Sequence, residues 1–195
     1  MNIKDCSDAE LIEKYLNGDK NCMEVLIHRY KKKVYTYILI TVKNPTVADD
    51  LFQDTFMKVI SSLKNGVYQD KGKFGSWLIR IAHNITIDYF RFEKNRNLYS
   101  QTDEKTDIFN VTSLSDITIE DKVIDNQIES DIRNIIEYLP EEQKEIILLR
   151  HYGNMSFKEI ADLTGVSINT ALGRMRYALI NLRKIIEENN IILTR

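Results

Sequence analysis

The chain has 195 residues, of which 43% are hydrophobic and 29% charged, and its net charge is −2 at pH 7. These values are ordinary for a globular protein and exclude a strongly cationic, histone-like one. No run of about 18 apolar residues occurs and the polar N-terminus lacks an apolar signal core, so we predict no membrane insertion. With only 7 Gly and 2 Pro, the chain is predicted to be all-α.

Few side chains are available for metal binding or catalysis. Cys6 and Cys22 are the only cysteines, and their spacing favours free thiols in a reducing cytoplasm over a disulfide scaffold. A metal site that uses both thiols and His28 is conceivable but would need a fourth ligand. His28, His83 and His151 lie in no nucleophile or metal motif, and no phosphate-binding loop of the Walker type occurs. We therefore expect no catalytic residue, no metal and no cofactor.

The first two helices are predicted from capping residues and apolar spacing. Ser7 and Glu10 have the spacing of a capping box, which predicts a helix start. Apolar residues at helical spacing predict a second helix over about 23–42. Asn44 and Pro45 are predicted to end it.

The third predicted helix has a polar face and an apolar face. We expect Thr46 and Asp49 to cap its start. Its apolar residues recur every three or four positions and are Ala48, Leu51, Phe52, Phe56, Val59, Ile60 and Leu63. Its opposite face carries Asp49, Asp50, Gln53, Asp54 and Lys58.

A loop over 65–73 is predicted to lead into a fourth helix, with Ser76 as its cap. The predicted buried stripe of this helix consists of Trp77, Leu78, Ile81, Ala82 and Ile85. The predicted exposed face consists of Arg80, His83, Asn84, Asp88 and Arg91.

The predicted first domain, 8–96, is followed by an acidic flexible linker over 97–127. Between 99 and 131 the chain has two basic and nine acidic residues and loses its apolar periodicity. Periodicity returns in the predicted second domain, 128–188, where Pro140 begins a helix. The sequence therefore predicts two helical domains joined by a tether.

The second domain contains a predicted helix-turn-helix. Ser156 and Glu159 form a second capping box, Gly165 supplies a turn, and Ser167 caps a long last helix. Ile168, Ala171, Met175, Leu182 and Ile186 are predicted to face inward. The outward residues, which suit a DNA major groove, are Asn169, Thr170, Gly173, Arg174, Arg176 and Tyr177. The alternative is a structural helical hairpin whose arginines are merely solvated.

Sequence blocks in both halves resemble one protein family. The blocks from Asp50 to Phe56, from Phe74 to Asn84 and from Asp88 to Arg91 resemble region two of bacterial sigma factors. The blocks Leu139 to Glu141, Leu148 to Arg150, Met155 to Ala161, Gly165 to Ser167 and Thr170 to Ala178 resemble region four. Their order and spacing resemble the extracytoplasmic-function branch of RNA polymerase sigma factors, over about residues 8 to 187.

The resemblance implies that the first domain binds core RNA polymerase and recognises and melts the −10 promoter element. Asp50, Gln53 and Asp54 would dock on a coiled coil of the β′ subunit. A flipped-out base needs a pocket with polar edges and a stacking wall. The residues expected to bind −10 DNA are Tyr68, Phe74, Arg80, Asn84, Asp88 and Arg91.

The resemblance also implies that the second domain recognises the −35 element. The residues expected to bind it are Ser167, Asn169, Thr170, Gly173, Arg174, Arg176 and Tyr177. Leu172, Gly173 and Ala178-Leu179 depart from the family pattern here, so the bases read are not predicted. The linker would either thread through the polymerase or act as a plain tether. The implied partners are core polymerase with its β′ and β subunits, promoter DNA and an anti-sigma protein.

Three other classes of protein remain to be separated from a sigma factor. A DNA-binding regulator with a helical sensor domain would use the same helix-turn-helix but bind duplex DNA alone. A helical interaction module would use the apolar stripes without DNA, which the Arg174 and Arg176 row opposes. A helical enzyme lacks support because the histidines form no catalytic motif.

Overall fold

The computed structural model describes residues 3–69, 72–99 and 135–188 of the chain. Within these ranges it contains helices and no strand, which confirms the all-α prediction. Its α-helices are α1 (Asp8–Leu16), α2 (Asn21–Val42), α3 (Pro45–Lys64), α4 (Phe74–Tyr99), α5 (Glu141–Gly153), α6 (Phe157–Thr164) and α7 (Ile168–Glu188). Most of the predicted linker lies outside the described residues.

The described chain forms two compact units, one that contains α1–α4 and one that contains most of the helical residues after residue 134. In the first unit, α2 packs against each of the other three helices, and α3 also packs against α4. The side chains of Leu26, Val34 and Ile38 on α2 are fully buried. Burying a side chain of this size contributes about 1.5–3 kcal/mol. Because α2 buries these residues and packs against all three other helices, it forms the centre of the core.

The start of α1 is confirmed, whereas the predicted start of α3 is wrong. Ser7 caps α1 and exchanges hydrogen bonds with Glu10, as a capping box requires. At α3, however, Asn44 is the capping residue, because its side chain accepts a hydrogen bond from the backbone N–H of Val47 at 3.2 Å. Pro45 occupies the first helical turn, where its missing N–H costs nothing. Asn44 and Pro45 thus begin a helix as well as follow one.

The fourth helix begins earlier and is rotated relative to the prediction. It starts at Phe74, so Ser76 lies inside the helix and does not cap it. Its buried residues include Phe74, Leu78, Ile79, Ala82, His83 and Thr86. Trp77, Ile81 and Ile85, which we expected in the core, are only partly buried. The prediction failed because it placed His83 on the exposed face by polarity alone.

The helix-turn-helix of the second unit has the predicted local structure. Ser156 and Glu159 form the capping box of α6, and Gly165 ends this helix in the left-handed conformation at φ 70°. The Ser167 hydroxyl caps α7 by accepting a hydrogen bond from the N–H of Thr170 at 3.0 Å. The core of this unit includes Leu139, Ile146, Leu148, Leu149, Ile160, Ala161, Ala171 and Ala178. Ile168 is 45% exposed, contrary to our expectation, because it occupies the first position of α7.

No helix in the described part of the chain is long and apolar enough to cross a membrane.

Gly75 allows α4 to approach α2 closely, and its substitution is expected to destabilise the protein. A Cβ at Gly75 would lie 2.9 Å from Cε1 of Tyr30, whereas a Cβ at Gly173 would meet open space. We predict that Gly75→Ala lowers the free energy of unfolding by about 1 kcal/mol, since overpacking outweighs the gain in helix propensity. Gly173→Ala, the matched control, should raise it by about 0.5–1 kcal/mol. Denaturant unfolding followed by circular dichroism measures both, and equal effects would refute the steric explanation.

Candidate functional site

The outward face of α3 carries the three residues predicted to dock on the polymerase. Asp50, Gln53 and Asp54 are all exposed, while Leu51 and Phe56 on the opposite side are buried. The structure therefore presents two carboxylates and an amide on one solvated surface. Sequence analysis missed Met57, which is 69% exposed at the spacing of one turn from Gln53 and Asp54. An exposed apolar side chain within a polar face can contact a partner, and the position of Met57 on the helix is the signal that identifies it.

Four aromatic rings meet at the beginning of α4. Tyr68, from the loop before the helix, lies 4.6 Å from Trp77 and 5.6 Å from Phe74, measured between ring centroids. Phe74 lies 5.7 Å from Trp77 and 5.4 Å from Tyr30. Phe74 is only 2% exposed, whereas Tyr68 and Trp77 are partly exposed. Phe74 therefore supports the other two rings from beneath, and the surface available for stacking belongs to Tyr68 and Trp77.

Further along α4, polar residues of the predicted −10 set share one exposed face. Asn84, Asp88 and Arg91 are exposed, and the Arg91 guanidinium lies 3.2 Å from the Asp88 carboxylate. Arg80 is partly buried. Phe92, which sequence analysis missed, is 64% exposed one turn after Asp88. The face thus combines an amide, an ion pair and an exposed ring.

His83 is not part of this surface, although the sequence placed it there. Its side chain is buried, and its Nδ1 atom lies 2.9 Å from the Tyr37 hydroxyl of α2. Burial, assisted by the nearby Arg80 guanidinium, lowers the pKa of His83 to about 4. The imidazole is therefore neutral at physiological pH. It serves as a packing and hydrogen-bonding residue between α2 and α4 and offers no positive charge to a phosphate.

The beginning of α7 displays the residues predicted to enter a major groove. Asn169, Thr170, Arg176 and Tyr177 are exposed, while Gly173 and Arg174 are partly buried. The Thr170 hydroxyl lies 2.9 Å from that of Ser167, so both hydroxyls are already engaged at the helix start. The exposed side chains can form hydrogen bonds with base edges, and Arg176 offers a planar guanidinium group for this purpose.

Arg174 has an acidic neighbour that sequence analysis missed. Burial raises the pKa of Glu145 on α5, and the charge of Arg174 acts in the opposite direction. The two side chains are thus close enough to interact electrostatically across the helix packing. No residue pattern within α7 could have identified this carboxylate, because it belongs to another helix.

Among the described residues, no group of three or more histidine, cysteine, aspartate or glutamate side chains could hold a metal ion. Cys6 and Cys22 are both buried and unpaired as a disulfide.

Two family models match the chain. The model "Sigma-70 region 2" matches residues 26–96, and "Sigma-70, region 4" matches residues 129–177. The first match contains the α3 face, the aromatic cluster and the α4 face. The second contains the helix-turn-helix and the exposed residues at the beginning of α7.

Similar proteins span almost the whole chain. The ECF RNA polymerase sigma-E factor of Haemophilus influenzae is 27% identical over 93% of this chain and 94% of its own. The ECF RNA polymerase sigma factor SigW of Bacillus subtilis is 26% identical over 89% of this chain and 93% of its own.

Two solved structures share the fold. CnrH in complex with the cytosolic domain of CnrY has a TM-score of 0.61 at 20% identity, covering 94% of this chain and 99% of that one. The sigma factor RpoE in complex with the anti-sigma factor NepR, from Bartonella quintana, has a TM-score of 0.62 at 17% identity. It covers 84% of this chain and 96% of its own.

The buried His83 predicts a loss of stability in acid. Its pKa is about 4 in the folded protein and 6.5 when unperturbed, so the unfolded state binds a proton first as the pH falls. The stabilisation is complete above pH 6.5 and is lost between 6.5 and 4, by about 3 kcal/mol. We predict that His83→Gln removes this component from the pH dependence of unfolding. His28→Gln, at an exposed histidine of the same unit, should retain it, and identical profiles for both variants would contradict the prediction.

Proposed function

The chain belongs to the sigma-70 family of RNA polymerase sigma factors, in its extracytoplasmic-function branch, and from this membership we propose how its surfaces act. It binds core RNA polymerase and directs transcription initiation at specific promoters. The observation that carries this function is the ordered pair of family matches, region two at 26–96 and region four at 129–177. The assignments of individual residues are our proposals.

We assign core polymerase docking to the exposed face of α3. Asp50, Gln53 and Asp54 are all exposed, and they share one side of the helix because Gln53 and Asp54 follow Asp50 by three and four positions. Exposed carboxylates favour a basic partner surface, and such charge complementarity sets orientation and the rate of encounter. The β′ coiled coil is the partner we propose for this face, and contacts with the β subunit are expected for the assembled enzyme.

We assign −10 recognition and strand opening to Tyr68, the aromatic cluster and the exposed face of α4. A base removed from the duplex loses its stacking partners, and the partly exposed rings of Tyr68 and Trp77 can replace them. Asn84 and Asp88 can then bind the polar edge of the base, with Arg80 and Arg91 near phosphate. In this proposal Phe74 acts by supporting Tyr68, since its own ring is buried.

We assign −35 recognition to the beginning of α7. Its exposed side chains match those that read base edges in the major groove, with arginine pairing to guanine and asparagine to adenine. We propose that Ser167 and Thr170, whose hydroxyls lie at the helix start, bind backbone phosphate. Gly173 leaves open space on this surface, which permits close approach of the DNA backbone or a base.

Three further assignments follow from the family. Polymerase performs the chemistry, so we propose no catalytic role for the chain itself. It would act in the cytoplasm, where the polymerase is. RpoE of Bartonella quintana was solved with an anti-sigma factor, and we propose that a protein of this class also binds and inhibits the present chain.

Transcription with purified components tests the proposed function. Core RNA polymerase mixed with this chain and a library of promoter sequences should yield transcripts that start at defined positions. The chain alone should bind closed duplex promoter DNA weakly, because most of its affinity depends on the polymerase. Absence of defined transcripts would refute the function, and tight, sequence-specific binding of duplex DNA by the chain alone would favour a regulator.

Charge reversal on α3 tests the docking face within the same system. The triple variant Asp50→Lys, Gln53→Lys and Asp54→Lys should weaken co-purification with core polymerase by more than about tenfold, because like charges would now face each other. Its helical circular dichroism signal should stay unchanged. Glu13→Lys with Glu24→Lys, at exposed acids of α1 and α2, is the matched control and should bind normally. Normal binding of the triple variant would refute the docking face.

Arg176 is expected to contribute directly to −35 recognition. Arg176→Ala should weaken −35-dependent promoter binding by about 1–3 kcal/mol and relax base preference at one position. Arg183→Ala, at another exposed arginine two turns further along α7, should leave the preference unchanged. Competition between promoters with altered −35 sequences measures the difference, and an unaltered preference in Arg176→Ala would exclude the contact.

A further inference from the structure

One tyrosine connects the beginning of the chain with the aromatic cluster. The Tyr30 hydroxyl of α2 donates a hydrogen bond to the Asp8 carboxylate in the first turn of α1. The other oxygen of Asp8 accepts from Arg29, which also donates to the backbone carbonyl of Cys6 at 2.8 Å and that of Lys4 at 3.2 Å. These contacts hold the N-terminal segment against α2 and fix the direction of the Tyr30 side chain.

The same ring also contacts the beginning of α4. The rings of Tyr30 and Phe74 meet edge to face, with centroids 5.4 Å apart. The next residue is Gly75, where a Cβ would come within 2.9 Å of Cε1 of Tyr30. Phe74 in turn contacts Tyr68 and Trp77. A rotation of the Tyr30 ring would therefore change the support beneath both partly exposed rings.

We propose that Tyr30, held by Asp8, is a positioning residue for −10 recognition, because it sets the place of Phe74 and through it the stacking rings of Tyr68 and Trp77. This inference rests on the proposed function of the aromatic cluster. Neither Asp8 nor Tyr30 belongs to the residues that we assign to DNA contact. Their effect is on how well the stacking surface is formed before DNA arrives.

The hydrogen bond between Tyr30 and Asp8 is of a kind that holds both side chains in one position. Burial and the bond to Asp8 both raise the pKa of Tyr30, so its hydroxyl stays protonated and donates to the carboxylate over the physiological range. A hydrogen bond to a charged acceptor is stronger than one between neutral groups. A preformed site avoids the free-energy cost of ordering its side chains when the ligand binds.

Two substitutions remove the bond and leave the proposed DNA contacts in place. Tyr30→Phe deletes the hydroxyl and keeps the ring against Phe74, and Asp8→Ala deletes the acceptor. Trp77 is the only tryptophan of the chain and lies in the cluster, so its fluorescence reports on the local packing of the full-length protein. In both variants we expect a red-shifted Trp77 emission.

The functional experiment measures opening of the promoter separately from binding to core polymerase. With core polymerase, both variants should reduce formation of the open −10 complex about tenfold, as expected for one charge-assisted hydrogen bond, while co-purification with the polymerase stays normal. The double variant should lose no more than Asp8→Ala alone, because Tyr30 acts through its bond to Asp8, whose carboxylate also accepts from Arg29. Glu10→Ala is the matched control, since it removes the capping box of the same helix without touching Tyr30. It should leave the emission and the opening step unchanged.

Several results would overturn the inference. One is wild-type emission and wild-type opening in Tyr30→Phe, and another is a change in emission without any loss of opening. Equal losses in Glu10→Ala would also refute it, since they would indicate only a general requirement for α1. The wild-type chain, measured alongside, separates failure of this inference from failure of the proposed function. A wild-type protein that opens no promoter refutes the proposed function. Normal opening in both variants refutes the role of Tyr30.

Discussion

Burial of α2 between three other helices is the constraint on which the first unit depends. Its apolar side chains pack towards α1, α3 and α4, and the most buried of them, including Leu26, Val34 and Ile38, have no exposed surface. Each partner helix must therefore turn its own apolar stripe towards α2. As a result, the polar faces of α3 and α4 point outward on a rigid support. The surfaces that we assign to polymerase and DNA are consequences of this packing.

Sequence predicted the fold best where the determining interaction is local. Both capping boxes and the turn at Gly165 depend on residues within four positions of each other, and they form as predicted. Prediction failed where the interaction joins distant segments. His83 was placed on the exposed face because it is polar, but its partner Tyr37 lies 46 residues earlier and makes burial of a neutral imidazole possible. That contact changes the rotation assigned to α4.

The candidate site shows the same difference between features set by local spacing and features set by contacts between distant segments. Helical spacing placed Asp50, Gln53 and Asn84 on exposed faces, as the structure has them, while their roles stay predictions. Spacing could not indicate that Phe74 is buried or that Gly75 fits against Tyr30, because both facts depend on how α2 and α4 pack. Selecting residues by polarity also excluded two exposed apolar side chains, Met57 and Phe92, which lie beside the polar residues of these faces.

The distribution of charge indicates that this chain contributes more to the choice of DNA sequence than to the overall affinity for DNA. Its net charge is −2, so it generates little long-range attraction for a polyanion. Two of the arginines that we assign to DNA also have carboxylates nearby: Arg91 lies 3.2 Å from Asp88 on α4, and the charge of Arg174 acts to lower the pKa of Glu145 on α5. Binding phosphate at either position would mean competing with a carboxylate of the same protein. In our proposal, affinity that depends on phosphate contacts therefore comes largely from the polymerase. Such a division lets weak, directional contacts decide between promoters, since wrong sequences gain little from electrostatics alone.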